Sequence, residues 1–111
     1  MIQAMIHYHG DLITAFELTG HADSGEYGQD IVCSAVSALS ITTTNALQTV
    51  AGVIPDVQSD SVNGGLLIVK LPAINNHEQS LKAQTLLAAF ELGMADIAKI
   101  YSQYVNLKIN Q

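Results

Sequence analysis

The sequence contains no arginine, and its four lysines stand against ten aspartates and glutamates, which leaves a formal net charge of -6 at pH 7. Phosphate groups are bound by clustered lysine and arginine side chains, so this composition argues against a nucleic-acid partner. An acidic surface attracts basic proteins and peptides, although its commoner effect is to keep a protein in solution. The charge alone leaves both interpretations open.

Cysteine is equally scarce. Cys33 is the only one, so it cannot form a disulfide within the chain, and a reducing cytosol would keep it as a thiol. One cysteine and scattered histidines provide no pair of ligands at metal-binding spacing. The sequence therefore predicts neither a metal site nor a cofactor.

Long apolar runs are also absent. No run approaches the roughly 18 residues that a membrane-spanning helix requires. The opening residues MIQAMIHYHG lack the basic start and the long apolar stretch of a secretory signal. We therefore expect a soluble, cytoplasmic protein without a membrane partner.

The chain is rich in apolar residues, which make up 49% of it, while charged residues make up 13%. These proportions exclude the composition of a disordered chain. A length of 111 residues suits one folding unit with a real core. We expect a single domain over residues 1–111, with a rather apolar surface that suits a subunit interface.

Alternating apolar and polar residues over 1–9 and 12–20 predict a β-hairpin that turns at His9-Gly10-Asp11. A second hairpin is predicted from residues 54–62 and 66–71, and a last strand over Tyr104–Ile109. The second hairpin turns at Asn63-Gly64-Gly65, whose residues accept positive φ. The apolar series of the first two strands are Ile2, Ala4, Ile6 and Tyr8, and Leu12, Thr14, Phe16 and Leu18.

Apolar residues three or four apart predict two helices, over Ile31–Ala51 and His77–Ser102. Asp30 and Asn76 suit their N-caps, and Gly52 suits the end of the first helix. The resulting order, β-β-α-β-β-α-β, predicts an α+β fold in which two helices pack on a largely antiparallel sheet.

The segment before the first helix carries the candidate chemistry. His21 stands at a predicted strand end, residues 21–29 predict a loop, and Cys33 falls in the predicted first helical turn, where unpaired N–H groups and the helix dipole favour a thiolate. His21 would take the thiol proton and return it to a leaving amine. The backbone N–H groups of Cys33 and Ser34 would face the developing oxyanion, and Asp30 would cap the helix or orient the histidine.

Residue types alone also permit plainer interpretations. A lone cysteine early in an amphipathic helix is most often a small buried hydrophobe. Ser37 lies one turn beyond Cys33 and forms a polar strip with Ser40 and Thr44, but such small residues also let a helix pack closely on a sheet. Surface or element-end positions are expected for the other histidines, His7, His9 and His77.

The string GHADSGEYGQDIVCSAVSALS resembles the signature of the ribosomal-processing cysteine protease family, Prp. The family pattern runs Gly-His-Ala, a glycine-bearing loop, and Asp-Ile-Val-Cys-x-x-x-Ser. The likeness extends to the predicted element order and the Asn-Gly-Gly hairpin, so it covers essentially the whole chain.

The resemblance implies a catalytic dyad of His21 and Cys33, with Asp30 and Ser37 as supporting residues. It also implies that a glycine-bearing loop opens for substrate, and Gly25 and Gly28 would give it the freedom to move. That substrate-gating loop comprises Ala22, Asp23, Ser24, Gly25, Glu26, Tyr27, Gly28 and Gln29.

By the same resemblance, the protein is a homodimeric endopeptidase that removes the N-terminal extension of large-subunit ribosomal protein twenty-seven. Cleavage would follow a short apolar stretch that ends in two phenylalanines and precedes a small residue. An acidic surface suits attraction of a basic ribosomal precursor. Two other classes stay open, a non-catalytic module that binds ribosomal protein tails and a redox sensor, although the chain has no resolving cysteine for the latter.

Overall fold

The computed structural model describes residues 1–20, 27–60 and 65–111, and for residues 27–30 it describes the backbone only. The predicted order of elements is confirmed. The elements are β1 (Ile2–His9), β2 (Leu12–Thr19), α1 (Tyr27–Thr49), β3 (Asp56–Asp60), β4 (Leu66–Lys70), α2 (His77–Ile100) and β5 (Val105–Asn110).

The five strands form one sheet in the order β3-β4-β2-β1-β5. Three neighbouring pairs are antiparallel, and only β1 and β5 run parallel, after the chain has crossed over through α2. The predicted α+β fold with a largely antiparallel sheet is therefore confirmed. The strands β3 and β5 lie at the two edges.

The core fills the space between both helices and one face of the sheet. Phe16 from β2 and Phe90 from α2 meet at its centre, with 4.2 Å between ring centroids. Alternation along β1 places its apolar side chains on this face, as predicted. Other side chains with essentially no exposure are Ile6, Val32, Leu47, Val69, Leu87, Met94 and Val105.

The predicted inward face of β2 is wrong at its start. Ile13 and Ala15 are buried, whereas Leu12 and Thr14 are exposed. The cause is a β-bulge, since the register shifts between His7 and Tyr8 and leaves an extra residue on β2. The side-chain amide of Gln84 on α2 meets Ile13 there, accepting from its N–H at 2.8 Å and donating to its carbonyl at 2.9 Å.

Two of the predicted helix boundaries are confirmed. The side chain of Asn76 accepts from the backbone N–H of Gln79 at 2.9 Å and so caps α2. Gly52 lies three residues after Thr49, the last residue of α1, and has φ of +70°, and Val53 N–H donates to the carbonyl of Leu47 at 2.8 Å.

The predicted start of α1 is wrong, because the helix begins at Tyr27 rather than at Ile31. Asp30 is therefore inside the helix and is not its N-cap. Of residues 27–30 only Gly28 is a poor helix former, and within one turn of the helix start its cost of about 1 kcal/mol is outweighed by a long helix. Three residues of the predicted loop, 27–29, are consequently helical, while its residues 21–26 lie outside the described ranges.

Polar contacts also tie the sheet to α2. The Tyr8 hydroxyl donates to the carboxylate of Glu91 on α2, and this hydrogen bond, with some desolvation, raises the pKa of Tyr8 above its usual value. In the described ranges, neither helix combines the length and the apolar character needed to cross a bilayer.

Candidate active site

Cys33 lies on α1, where its side chain is partly buried and packs against the edge of the core. Cys33 also lines a cleft of about 510 Å³. The position of Cys33 therefore agrees in part with both interpretations of the sequence, a small packed hydrophobe and a residue of a functional site. It packs like a small hydrophobe, yet it lines a cavity of the size that holds a ligand.

The cleft runs between α1 and the half of the sheet that contains β3 and β4. From α1, Ser37 and Ile41 continue the wall that Cys33 begins, while Val57 and Ser59 of β3 form the opposite wall. The remaining lining is mostly apolar and includes Ile2, Leu18, Val36, Leu66 and Leu67. A cavity with apolar walls and a few hydroxyl groups suits an apolar peptide segment.

The helix α1 also packs closely on α2. The two helices approach closely at Gly93 of α2, where an added Cβ would lie 2.8 Å from a methyl carbon of Leu39 on α1. Leu39 does not line the cleft, whereas Cys33, Ser37 and Ile41 of the same helix do. A residue larger than glycine at position 93 would therefore require the Leu39 side chain to move.

The predicted polar strip on α1 divides into two parts. The buried Ser40 donates to the carbonyl of Val36 at 2.8 Å, and Thr44 donates to the carbonyl of Ser40 at 2.7 Å. Both hydroxyls are therefore bonded to their own helix, which supports the close-packing interpretation. Ser37 is exposed on the cleft wall, one turn beyond Cys33, and Ser40 also lines the cleft although it is buried.

His21 lies outside the described residues, as do Ala22, Asp23, Ser24, Gly25 and Glu26, and no side chain is described for Asp30. The residue before the histidine is well placed, however. Gly20 lines the same cleft as Cys33, and its N–H donates to the carbonyl of Gly65 at 3.0 Å. The last described residue before His21 therefore lies at the wall of this cleft.

Gly20 is required at that point by its backbone. Its φ is +84°, and an added Cβ would lie 2.2 Å from the carbonyl oxygen of Met1. Any other residue would strain the backbone and displace the start of β1. The backbone at this position therefore explains why the Gly-His-Ala string begins with glycine.

The early start of α1 changes the predicted chemistry of the thiol. Cys33 is the seventh helical residue rather than the third. The backbone N–H groups of Cys33 and Ser34 are consequently used by the helix and do not provide the predicted oxyanion donors. The helix dipole also acts mainly within the first turn, and Cys33 lies beyond that turn.

Sequence reasoning missed the far wall of the cleft. Val57 and Ser59 lie on β3, more than twenty positions after Cys33, in a strand that carries no recognisable motif. In the sequence Val57 is one apolar residue of a predicted strand, and its 44% exposure is seen only in the structure. Only the pairing of β3 with β4 brings it opposite α1.

A second polar cluster lies on the sheet face that the helices leave uncovered. His7 contacts the carboxylate of Glu17 through Nε2, and its Nδ1 lies 2.9 Å from the side-chain nitrogen of Asn110. His7 is half-buried there rather than at an open surface position, whereas His77 begins α2 as predicted. Among the described residues, no group of three or more His, Cys, Asp or Glu side chains is placed to hold a metal ion.

Known proteins resemble this chain over nearly its full length. The family model described as Cysteine protease Prp matches residues 1–106. The ribosomal processing cysteine protease Prp of Bacillus subtilis (strain 168) is 34% identical over 113 residues, which cover 99% of this chain and 98% of the relative.

Two solved structures agree. SMU.848 from Streptococcus mutans superposes with a TM-score of 0.90 and 40% identity, covering 99% of this chain and 94% of that one. The essential ribosomal processing protease Prp from S. aureus, in complex with a covalently linked product peptide, gives a TM-score of 0.83 and 32% identity, covering 99% and 100%. With its cysteine on the wall of an apolar cleft, this chain belongs to the Prp family of ribosomal processing cysteine proteases.

Proposed function

We propose that this cysteine protease removes the N-terminal extension of large-subunit ribosomal protein twenty-seven, cutting after an apolar stretch that ends in two phenylalanines. The observation that carries the proposal is the position of Cys33 on the wall of a mostly apolar cleft of about 510 Å³. The staphylococcal relative forms a covalent complex with a product peptide, which supports a peptide substrate here.

In the proposed mechanism, His21 and Cys33 act as a dyad. His21 takes the proton of the Cys33 thiol, and the thiolate attacks the carbonyl carbon of the scissile bond. The tetrahedral intermediate collapses, the C–N bond breaks, and the proton passes from His21 to the leaving amine. Water activated by His21 then hydrolyses the thioester and restores the thiol.

The close link between Gly20 and the cleft supports this pairing, because the residue that precedes His21 already lines the cavity. Since Cys33 lies beyond the first turn of α1, its activation depends mainly on the histidine rather than on the helix start. Supporting roles for Asp30 and Ser37, and gating by the segment 22–29, stay predictions.

The cleft also suits the proposed substrate in its chemistry. Its volume falls within the range of roughly 300–1,000 Å³ that is typical of ligand pockets, and its apolar walls favour aromatic side chains. The net charge of -6 favours approach of a basic ribosomal precursor. A cytoplasmic location and a homodimer belong to the same proposal.

The proposal is tested with purified protein and a fluorescence-quenched peptide that contains an apolar stretch, two phenylalanines and an alanine. The wild type should cleave between phenylalanine and alanine, as identified by mass spectrometry. Cys33→Ala and His21→Ala should each abolish measurable cleavage, because members of a dyad act as a unit. Ser34→Ala serves as the control, since Ser34 is exposed beside Cys33 and does not line the cleft.

Thiol alkylation separates the roles of the two residues. Iodoacetamide near neutral pH should label Cys33 rapidly in the wild type and markedly more slowly in His21→Ala. Replacement of the exposed His9 should leave the labelling rate unchanged. The proposed dyad would be contradicted if Cys33→Ala cleaved the peptide at the wild-type rate. It would also be contradicted if iodoacetamide labelled the wild type and His21→Ala at the same rate.

A further inference from the structure

The strand β3 has one open edge. It is the first strand in the sheet order and pairs with β4 alone among the described strands, through the register Asp56–Lys70 to Asp60–Leu66. A strand at such an edge carries backbone N–H and C=O groups that point away from the sheet. Among the described residues no second strand occupies this edge, so its central part can pair with a further extended chain.

This open edge borders the cleft that contains Cys33. Val57, Ser59 and Asp60 of β3 form the wall opposite α1. Because side chains alternate along a strand, Val57 and Ser59 share the face of the sheet on which the helices lie, opposite Val69 and Leu67 of β4. The backbone edge and the apolar cavity are therefore adjacent parts of one site.

The sequence of β3 suits an edge that accepts a peptide. Aspartates occupy its two ends, which limits pairing between copies of the sheet, while its three central residues, Val57 to Ser59, carry no charge. Val57 is 44% exposed, although it lies on the face that packs against the helices elsewhere. At the opposite edge, β5 carries Lys108 among its central residues and does not border the cleft.

We propose that the substrate binds as an added strand along the outer edge of β3, so that alternate side chains enter the cleft toward Cys33. The inference deepens the proposed function and rests on it. Backbone pairing would hold the chain extended, and the cavity between Val57 and Ile41 would select the side chains that point inward.

The dimensions agree with this arrangement. Ile41 lies eight positions after Cys33 on α1, which at 1.5 Å per residue is about 12 Å. An extended chain covers that distance in roughly three to four residues. The five residues of β3 are long enough to pair with such a segment. We therefore expect selectivity at every second position on one side of the scissile bond.

A scan of N-methylated substrates tests the backbone pairing. Each residue of the fluorescence-quenched peptide, apart from the two at the scissile bond, is N-methylated in turn, and kcat/KM is measured with the wild type. An added strand uses every second N–H, so alternate positions should lose about tenfold or more, which is the loss expected for one backbone hydrogen bond, while the positions between them change little. A profile without period two would overturn the inference.

Hydrogen exchange locates the pairing on the protein. The Cys33→Ala variant is saturated with the same peptide, and amide exchange is followed by NMR. Alternate amides of β3 (Asp56–Asp60) should exchange at least tenfold more slowly, while those of β5 (Val105–Asn110) should not change. Saturable binding without protection of β3 would overturn the inference and leave the proposed protease function intact.

A matched pair of substitutions completes the test. Val57 and Ile109 are each 44% exposed, and each lies on an edge strand. Val57→Asp should lower kcat/KM by roughly tenfold or more, chiefly through KM, whereas Ile109→Asp should leave both constants near wild type. Equal effects of the two variants would count against β3 as the binding edge. Failure of the wild type to cut the unmodified peptide would instead overturn the proposed function, and this inference with it.

Discussion

Among single residues, Ser37 allows the cleft to be altered without an effect on the stability of the fold. Its side chain is exposed on the cleft wall one turn beyond Cys33, and the family resemblance implies only a supporting role. Ser37→Phe should fill part of the cleft and lower kcat/KM by about tenfold or more, because the substrate and the new ring compete for one cavity. Steady-state cleavage of the quenched peptide measures this effect.

Ser34→Phe is the control for that substitution. Ser34 is also exposed on α1, but it does not line the cleft. Neither variant should shift the unfolding temperature appreciably, since surface substitutions usually change stability by less than about 0.5 kcal/mol. If Ser37→Phe cleaves as well as Ser34→Phe, the cleft does not hold the substrate.

At the scale of elements, local sequence patterns predicted the helix boundaries that depend on a single residue. Asn76 caps α2 and Gly52 ends α1 as predicted, because a cap needs only one side chain and a helix end only one residue of positive φ. The start of α1 was not predictable in this way. The preceding glycines and acidic residues favour a loop locally, whereas the gain from lengthening a packed helix is not visible in a short window.

The bulge in the first hairpin illustrates the same limit. The alternation of residues 12–20 is compatible with two opposite faces, and one inserted residue exchanges them. At the bulge, Ile13 has a partner that no short window contains, since Gln84 lies 71 positions later and hydrogen-bonds both of its backbone groups. The same limit applies to the site. The sequence motif identified Cys33 on α1 but not Val57 on the opposite wall of the cleft.

Gln84 therefore has a specific expected effect on stability. Gln84→Ala removes both partners of Ile13 at the bulge, where the hairpin meets α2. The free energy of unfolding should fall by about 1–3 kcal/mol, the usual cost of leaving partly buried polar groups without partners. Urea denaturation followed by circular dichroism measures it. Thr85→Ala, at an exposed neighbouring position, should cost clearly less, and a neutral Gln84→Ala would show that water replaces the amide.

At the scale of the whole molecule, the two faces of the sheet differ. Both helices cover one face, and the other presents the partly exposed Met5 and Ile68 together with the polar cluster of His7 and Glu17. A half-apolar sheet face of this kind is compatible with the proposed homodimer, because subunit interfaces combine apolar area with polar groups. The cleft lies on the helix side, so such a dimer would leave it open to substrate.

The charge of the whole molecule gives the last prediction. With a net charge of -6 and only four lysines, the protein should attract a basic precursor from a distance, and salt should weaken that attraction. Raising the salt from about 0.1 M to about 1 M shortens the Debye length from about 10 Å to about 3 Å. For a peptide flanked by lysines, kcat/KM should fall severalfold across this range while kcat stays nearly constant, because the effect is on encounter. A peptide with the same apolar stretch and neutral flanks controls for the effect of salt on the cleft itself. Parallel salt dependence of the two peptides would show that the acidic surface serves solubility alone.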